Sequence, residues 1–485
     1  MKQKKRAVGK SRRSPKPVKK AAARRPARRA KVAPRGAAVR KLTKDQLIKK
    51  AQKPSHDAMV LHPFYGGKYQ IVPKCIIRDL DDFAIWYTPG VAAPCKDIHA
   101  NPEKVYEHTN KKNTIAVVTD GTRVLGLGDI GPEAGLPVME GKALLFKYLG
   151  GVDAIPIGVN TKDPDVLIET TRLISPSFGG INLEDIAQPK CFRVLREVRD
   201  ALDIPVWHDD QQGTAAVTVA GAINALKVVG KELSDVRISM LGAGASNVCI
   251  ANLLIQAGAD PGRIVMCDTK GTLHKKRTDL MPGFPEKWDL ATRTNERGIL
   301  GGPAETIRRS DMLIALSTPG PDTVKKEWIA SMAEDAIVFV CANPVPEIWP
   351  WEAKEAGARI VATGRSDFPN QVNNSLGFPA IFRGALDVMA RKITDGMCIA
   401  AARELAKCAE DKGLSEDYII PSMAEWEVFP REAVAVGMQA IEEGVARVTM
   451  SARDLYRTAE AKIKEAREQA HVLMKEGIIP PPPKL

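Results

Sequence analysis

Between residues 114 and 364 the apolar positions fall in short unbroken runs, separated by stretches where they recur every three or four residues. That alternation predicts a mostly parallel sheet with crossover helices, an α/β chain. Strands are expected at Thr114–Thr119, Asp153–Ile157, Val206–His208, Val236–Leu241, Arg263–Asp268, Met312–Leu316, Ile337–Cys341 and Ile360–Gly364. Helices are expected over 136–149, 165–174, 189–200, 214–229 and 248–257, and the chain reads as helical from Phe378 to about Glu476, before the stop at Pro480–Pro483. Asp120-Gly121 reads as a hairpin turn, with Val124-Leu125-Gly126 as the returning strand. The expected division is a basic tail over 1–50, a first domain over 51–212, a doubly wound domain over 213–440 and a helical extension over 441–485.

Composition alters this picture mainly at the amino end. Residues 1–50 hold 21 Lys/Arg and one acid, Asp45, so they carry +20. Taking that from the whole-chain +13 leaves −7 for residues 51–485. The basicity therefore belongs to the tail, which has almost no large apolar residue before Leu42 and is expected to be disordered. A polycation meeting nucleic acid or another anionic surface fits that composition. A mitochondrial transit peptide is the alternative, although the prolines and the missing amphipathic face argue against it. No apolar run approaches the roughly 20 residues of a spanning helix. Eight scattered cysteines without a Cys-x-x-Cys pair read as reduced thiols of a cytoplasmic protein.

Candidate chemistry collects at the expected strand ends. Asp209-Asp210 follows the apolar Val206-Trp207-His208, and Glu184-Asp185 lies in a separate segment upstream. Adjacent carboxylates repel unless a cation, a hydrogen-bond network or a shared proton offsets the repulsion, and carboxylates from two segments suit a hard ion such as Mg²⁺ or Mn²⁺. Each pair alone also reads as a helix cap or a solvated turn. Lys142 shares a stripe with Val138, Leu145 and Leu149, so its amine either snorkels to the surface or is held desolvated with a lowered pKa. Tyr87 closes a short apolar run before Thr88-Pro89-Gly90, which would present its phenol at a loop edge.

Gly242-Ala243-Gly244-Ala245-Ser246-Asn247 sits between an expected strand and helix, with Asp268 twenty-one residues after Asn247. In that context the glycines let a pyrophosphate approach a helix N-terminus and Asp268 can accept ribose hydroxyls, the signature of a dinucleotide site. Asp268 favours NAD, while Lys270, Lys275, Lys276 and Arg277 could neutralise the 2′-phosphate of NADP. Asn247, in place of the usual small residue, is expected to hold helix and strand slightly further apart. Asn343, Asn373 and Asn374 follow strands and can donate to a small carboxylate, or simply form turns.

In this order the motifs resemble those of the malic enzymes, over roughly residues 55–440. They are Tyr87-Thr88-Pro89-Gly90-Val91, Thr119-Asp120-Gly121 with Leu125-Gly126-Leu127-Gly128, Gly141-Lys142-Ala143, Asn182-Leu183-Glu184-Asp185, Asp209-Asp210-x-Gln-Gly213-Thr214, the Gly242 turn and Asn373-Asn374. The resemblance implies a substrate and metal domain followed by a Rossmann-type nucleotide domain, and oxidative decarboxylation of malate to pyruvate and CO₂. It implies that Glu184, Asp185 and Asp210 bind the metal, with Asp209 beside it in the catalytic group. Lys142 would take the hydroxyl proton and Tyr87 would protonate the enol carbon. Arg123, Asn343 and Asn374 would hold malate, and Gly242, Gly244, Ala245, Ser246, Asn247, Asp268, Lys270 and Asn343 the nucleotide. A homodimer or larger assembly is expected. A non-decarboxylating 2-hydroxy-acid dehydrogenase and a nucleic-acid-binding protein on a retained fold are the alternatives.

Overall fold

Thr114–Thr119 forms β1, buried along nearly its whole length, because it is flanked on both edges by strands and covered on both faces by helices. The computed structural model describes residues 44–484. The tail residues 1–43, expected to be disordered, lie outside them. Helix α1 spans Lys44–Tyr65, and Ser55–Leu485 form one compact unit. It opens with the short helices α2 (Asp82–Trp86), α3 (Ala92–Ala100) and α4 (Val105–His108). Then come β1, α5 (Gly131–Gly150), β2 (Asp153–Gly158), α6 (Pro164–Ile174), β3 (Gly180–Leu183), α7 (Lys190–Ala201) and β4 (Val206–His208).

These four strands make a parallel sheet in the order β2-β1-β3-β4. The register sets Val118, Leu183 and His208 in one row, so the residues that follow β1, β3 and β4 emerge at one level. The strand order reverses between β1 and β3, and a crevice at such a switch point is where parallel sheets bind ligands. Asp120-Gly121 is not a hairpin turn. Both sheet neighbours of β1 run parallel to it, and Val124 makes only an isolated bridge to Gly128. Gly121 instead packs on the start of α5, where an added Cβ would lie 2.2 Å from Gly131 C.

Helix α8 (Thr214–Val229), small and apolar, is buried over most of its length and carries the chain into the second sheet. That sheet contains β5 (Ile238–Leu241), β6 (Ile264–Asp268), β7 (Gly271–Thr272), β8 (Met312–Ala315), β9 (Ile337–Val340) and β10 (Ile360–Thr363), in the order β10-β9-β8-β5-β6-β7. Only β7 is antiparallel. The switch point lies between β5 and β8, and α9 (Ala245–Ala257) leaves the end of β5 there. The long helices Phe378–Asp387, Asp395–Glu410, Val428–Glu442 and Ala452–Lys475 complete the body. One core runs through both sheets, from Ile115 and Trp207 to Phe339, Phe382 and Ile463. Among the described residues no helix is long and apolar enough to cross a membrane, and all eight cysteines are free thiols.

Candidate active site

The two acidic pairs leave adjacent strands at one level, Glu184-Asp185 after β3 and Asp209-Asp210 after β4. Residues Asp209–Gly213 form a π-helical turn, a wider coil than the α-helix it feeds and a frequent device at functional sites. The turn gives the neighbouring aspartates different partners. Asp209 accepts from Trp207 Nε1 at 3.0 Å and from Lys142 Nζ at 2.5 Å, while Asp210 Oδ2 accepts from the backbone N–H of Asp185 at 2.9 Å. Gly213 makes this geometry available, because an added Cβ would stand 2.0 Å from Asp209 Oδ1.

Glu184, Asp185 and Asp210 each place a carboxylate oxygen within 4.8 Å of the other two. Asp185 Oδ2 is buried without a hydrogen-bond partner, and Asp185 holds a left-handed backbone at φ 55°. Burial, then the charge of Asp210, pushes the Asp185 carboxyl up to about 8. Burial also raises Asp210 and holds Glu184 well above its usual range, although the Lys142 ammonium opposes both. Hard oxygen donors, mutual repulsion and an orphaned buried oxygen together fit a divalent cation such as Mg²⁺ or Mn²⁺.

Lys142, on α5, does not snorkel. Its Nζ is buried, 3.0 Å from Glu184 Oε1 and 2.5 Å from Asp209 Oδ2, and sits 4.3 Å from the centre of the Phe378 ring. Burial alone would lower its pKa, as the sequence suggests, but Asp209 and Glu184 outweigh burial and the amine is held more firmly protonated than usual. Glu184 is oriented by Asn182, whose Nδ2 donates to Oε2 at 2.8 Å.

Arg123 is exposed beside this group. Its backbone N–H donates to Asp185 O at 2.9 Å, and its charge acts on Asp210. Gly126, from the same loop, approaches the second sheet closely, since a Cβ there would lie 2.7 Å from Asn343 O. Asn374 flanks the π turn, its Cβ 3.3 Å from the notional Cβ of Gly213. Asn373 is structural: its Oδ1 accepts from Ser375 N and its Nδ2 donates to Gly364 O.

The nucleotide elements stand at the second switch point. Gly242 has φ 88°, and a Cβ there would lie 2.4 Å from Leu316 O, while Gly244 faces open space at the N-terminus of α9. Ala245 and Ser246 begin the helix. A phosphate can therefore approach backbone N–H groups without meeting a side chain. Asn247 is buried and ties the turn together, with Nδ2 2.8 Å from Leu241 O and 2.7 Å from Gly242 O. Asp268 ends β6 and receives Arg277 in a two-pronged pair, 3.1 Å to Oδ1 and 3.0 Å to Oδ2. Lys270 N also donates to Asp268 Oδ1, and Lys270 Nζ lies 3.3 Å from Asp279.

Among the described residues no hydrogen bond joins the Tyr87 side chain to the others. Tyr87 caps α2 and is 71% exposed. Its segment is tethered by Lys74 Nζ to Asn110 Oδ1, and Asn110 binds Thr114 and Asp153 at the amino ends of β1 and β2. The acid cluster lies at the carboxyl ends of β3 and β4. Trp207 and Phe378 carry no sequence signal of a role in the site, and Asn182 only its place in the Asn182-Leu183-Glu184-Asp185 motif; their contacts show them as supports.

Residues 66–199 match the malic enzyme N-terminal domain and residues 211–441 the malic enzyme NAD-binding domain. The bifunctional malic/malolactic enzyme of Bacillus subtilis is 50% identical over 399 residues, 82% of this chain and 96% of that one. The NAD-dependent malic enzyme of Geobacillus stearothermophilus is 47% identical over 382 residues, 79% and 78% of the two chains. The crystal structure of Entamoeba histolytica malic enzyme superposes with a TM-score of 0.89 at 52% identity, covering 91% of this chain and 93% of that one. Both halves of the fold are matched, and the chain belongs to the malic enzyme family.

Proposed function

We propose that this chain oxidatively decarboxylates malate to pyruvate and CO₂ while reducing a nicotinamide dinucleotide, with Glu184, Asp185 and Asp210 as ligands of Mg²⁺ or Mn²⁺. The observation that carries the reading is the buried Lys142, in contact with Asp209 and Glu184, beside the clustered carboxylate oxygens of Glu184, Asp185 and Asp210. When bound, the ion supplies Lewis acidity toward the hydroxyl and carboxylate oxygens and offsets charge as CO₂ leaves, and the nucleotide supplies the hydride acceptor.

The chain's own groups do the rest. Lys142 exchanges the proton of the C2 hydroxyl, with Asp209 at hydrogen-bond distance to relay it. Arg123, Asn343 and Asn374 hold the two carboxylates. Gly242, Gly244, Ala245, Ser246 and Asn247 shape the pyrophosphate turn. Asp268 accepts ribose hydroxyls, which supports NAD, but Arg277 and Lys270 beside it offer charge to a 2′-phosphate, so NADP is accepted as well. Cytoplasmic residence belongs to the same reading, supported by the free thiols.

Tyr87 protonates C3 of the enol, and we propose that it does so in the site of a second copy of the chain. Helix α3 has no buried residue and α2 only Asp82, yet Ile71, Ile76, Leu80, Phe83, Ile85 and Trp86 are all exposed around them. Burying one such side chain is worth roughly 1.5–3 kcal/mol, so an arm this apolar gains most by docking on another surface. A homodimer in which arms are exchanged satisfies both the arm and the site.

The test is to incubate the protein with malate, Mn²⁺ and each nucleotide, with and without EDTA, following nucleotide reduction and pyruvate together. Metal-dependent reduction with matching pyruvate is expected. Reduction without pyruvate would mean a non-decarboxylating dehydrogenase and overturn the reading.

A further inference from the structure

Two polar loops follow adjacent strands of the second sheet, Ser317–Gly320 after β8 and Ala342–Pro344 after β9. One fully buried carboxylate joins them. Glu347 Oε1 accepts from Ser317 N at 2.8 Å and Ser317 Oγ at 3.2 Å, and Oε2 accepts from Ala342 N at 3.1 Å. Its own backbone carbonyl accepts from Val324 N at 2.9 Å, which anchors the latch to the far side of the first loop. The contacts that satisfy the carboxylate come from backbone N–H groups and a hydroxyl, and burial pushes it up to about 7. A buried carboxylate held by dipoles is a costly way to fasten two loops when an apolar side chain could fill the space.

What the latch controls is the height of Asn343. That residue is confined between two glycines: a Cβ on Gly364 would stand 2.9 Å from Asn343 Nδ2, and one on Gly126 would stand 2.7 Å from Asn343 O. Pro319, from the first loop, is held by the same contact, 2.8 Å from the notional Cβ of Gly126. The loops from both sheets therefore meet at Gly126 with no slack, and a shift of Ala342 passes directly to its neighbour Asn343.

We propose that Glu347 is a positioning residue that sets Asn343 in the cleft between the two sheets and acts on malate through Asn343. This rests on the assignment of malate as substrate. It makes Glu347 and Asn343 one functional unit, whose losses overlap instead of multiplying.

The experiment is a double-mutant cycle on the full chain with Glu347→Gln, Asn343→Ala and the double variant, measuring kcat/KM for malate at saturating nucleotide. Each single change is expected to lower kcat/KM for malate about tenfold or more, since small displacements of a holding group are expensive in rate. The double variant is expected to fall within about twofold of the worse single variant. Ser317→Ala, which removes one hydroxyl donor and leaves the backbone contacts, keeps the proposal testable if Glu347→Gln fails to fold. Its smaller loss should vanish in the Asn343→Ala background. Multiplying losses, or full activity in Glu347→Gln and Ser317→Ala, would overturn the proposal. Absence of malate turnover in the unsubstituted protein would instead overturn the assigned reaction.

Discussion

Two regions of this molecule invert the usual distribution of side chains in opposite ways. Around β3 and β4, four carboxylates and a lysine are buried or nearly so. In the arm containing α2 and α3, tyrosine, tryptophan, phenylalanine and isoleucine face outward. Ordinary folding favours neither, because buried charge costs desolvation and exposed apolar surface forgoes burial. The difference teaches what each lacks. The acidic pocket is closed by its own chain, with Lys142 held by Asp209 and Glu184 and three carboxylates close enough to share a divalent cation. The arm finds no cover on its own sheets, so its deficit is a protein surface. On the proposed function, an ion completes one region and a second chain the other.

The largest effect should come from the centre of the pocket. Lys142→Ala is expected to lower kcat by about 10³-fold, the usual scale for losing a general acid–base group. Steady-state turnover with pyruvate detection reads this, and retention of more than a tenth of the activity would break the pocket's side of the comparison.

The metal requirement sharpens the same side. Mn²⁺ should raise the thermal unfolding temperature, because it binds the folded carboxylates and not the unfolded chain. Asp185→Asn should abolish that shift along with most activity. A shift of unchanged size would mean the ion binds elsewhere.

On the arm, Ile85→Asp places a charge where apolar cover is needed. Sedimentation should show dissociation, and activity should fall about a hundredfold as the site loses its phenol, a group of the 10²–10⁴ class. A variant that stays assembled and active would remove the arm from the interface.

A smaller effect is expected at the nucleotide site. Arg277→Ala should change the ratio of NADP to NAD efficiency by about tenfold against NADP, the value of roughly one charged contact. An unchanged ratio would show that Arg277 serves only to hold Asp268.

How much of this could be read beforehand follows from what each feature depends on. The strand-end acids were legible because an apolar run that breaks into carboxylates marks the end of a buried strand, and a parallel sheet sends such ends to one edge. The Gly242 turn was legible for the same reason. Asp120-Gly121 was misread because that pair favours a hairpin locally, while parallel pairing on both sides of β1 decided the outcome. The sign of the Lys142 shift depends on two acids 42 and 67 residues downstream in sequence, which no helical stripe reveals. Asn247 looked like a poor substitute for a small residue, yet its side chain supplies the hydrogen bonds that tie the turn. Glu347 had no sequence signal, since its role exists only where two strand ends meet. The exposure of Tyr87 was legible from the Thr88-Pro89-Gly90 turn, but that of the apolar residues around it was not.

The most direct test of the exchanged-arm account is subunit complementation. Tyr87→Phe and Lys142→Ala chains carrying different tags would be co-expressed, the mixed dimers isolated by both tags, and malate turnover compared with each inactive parent. Each mixed dimer should regain one intact site, Lys142 from one chain and Tyr87 from the other, and so about half the unsubstituted activity per dimer, by the linkage of both groups to one reaction. Mixed dimers as inactive as their parents would contradict it, and would place both residues in a single chain's site.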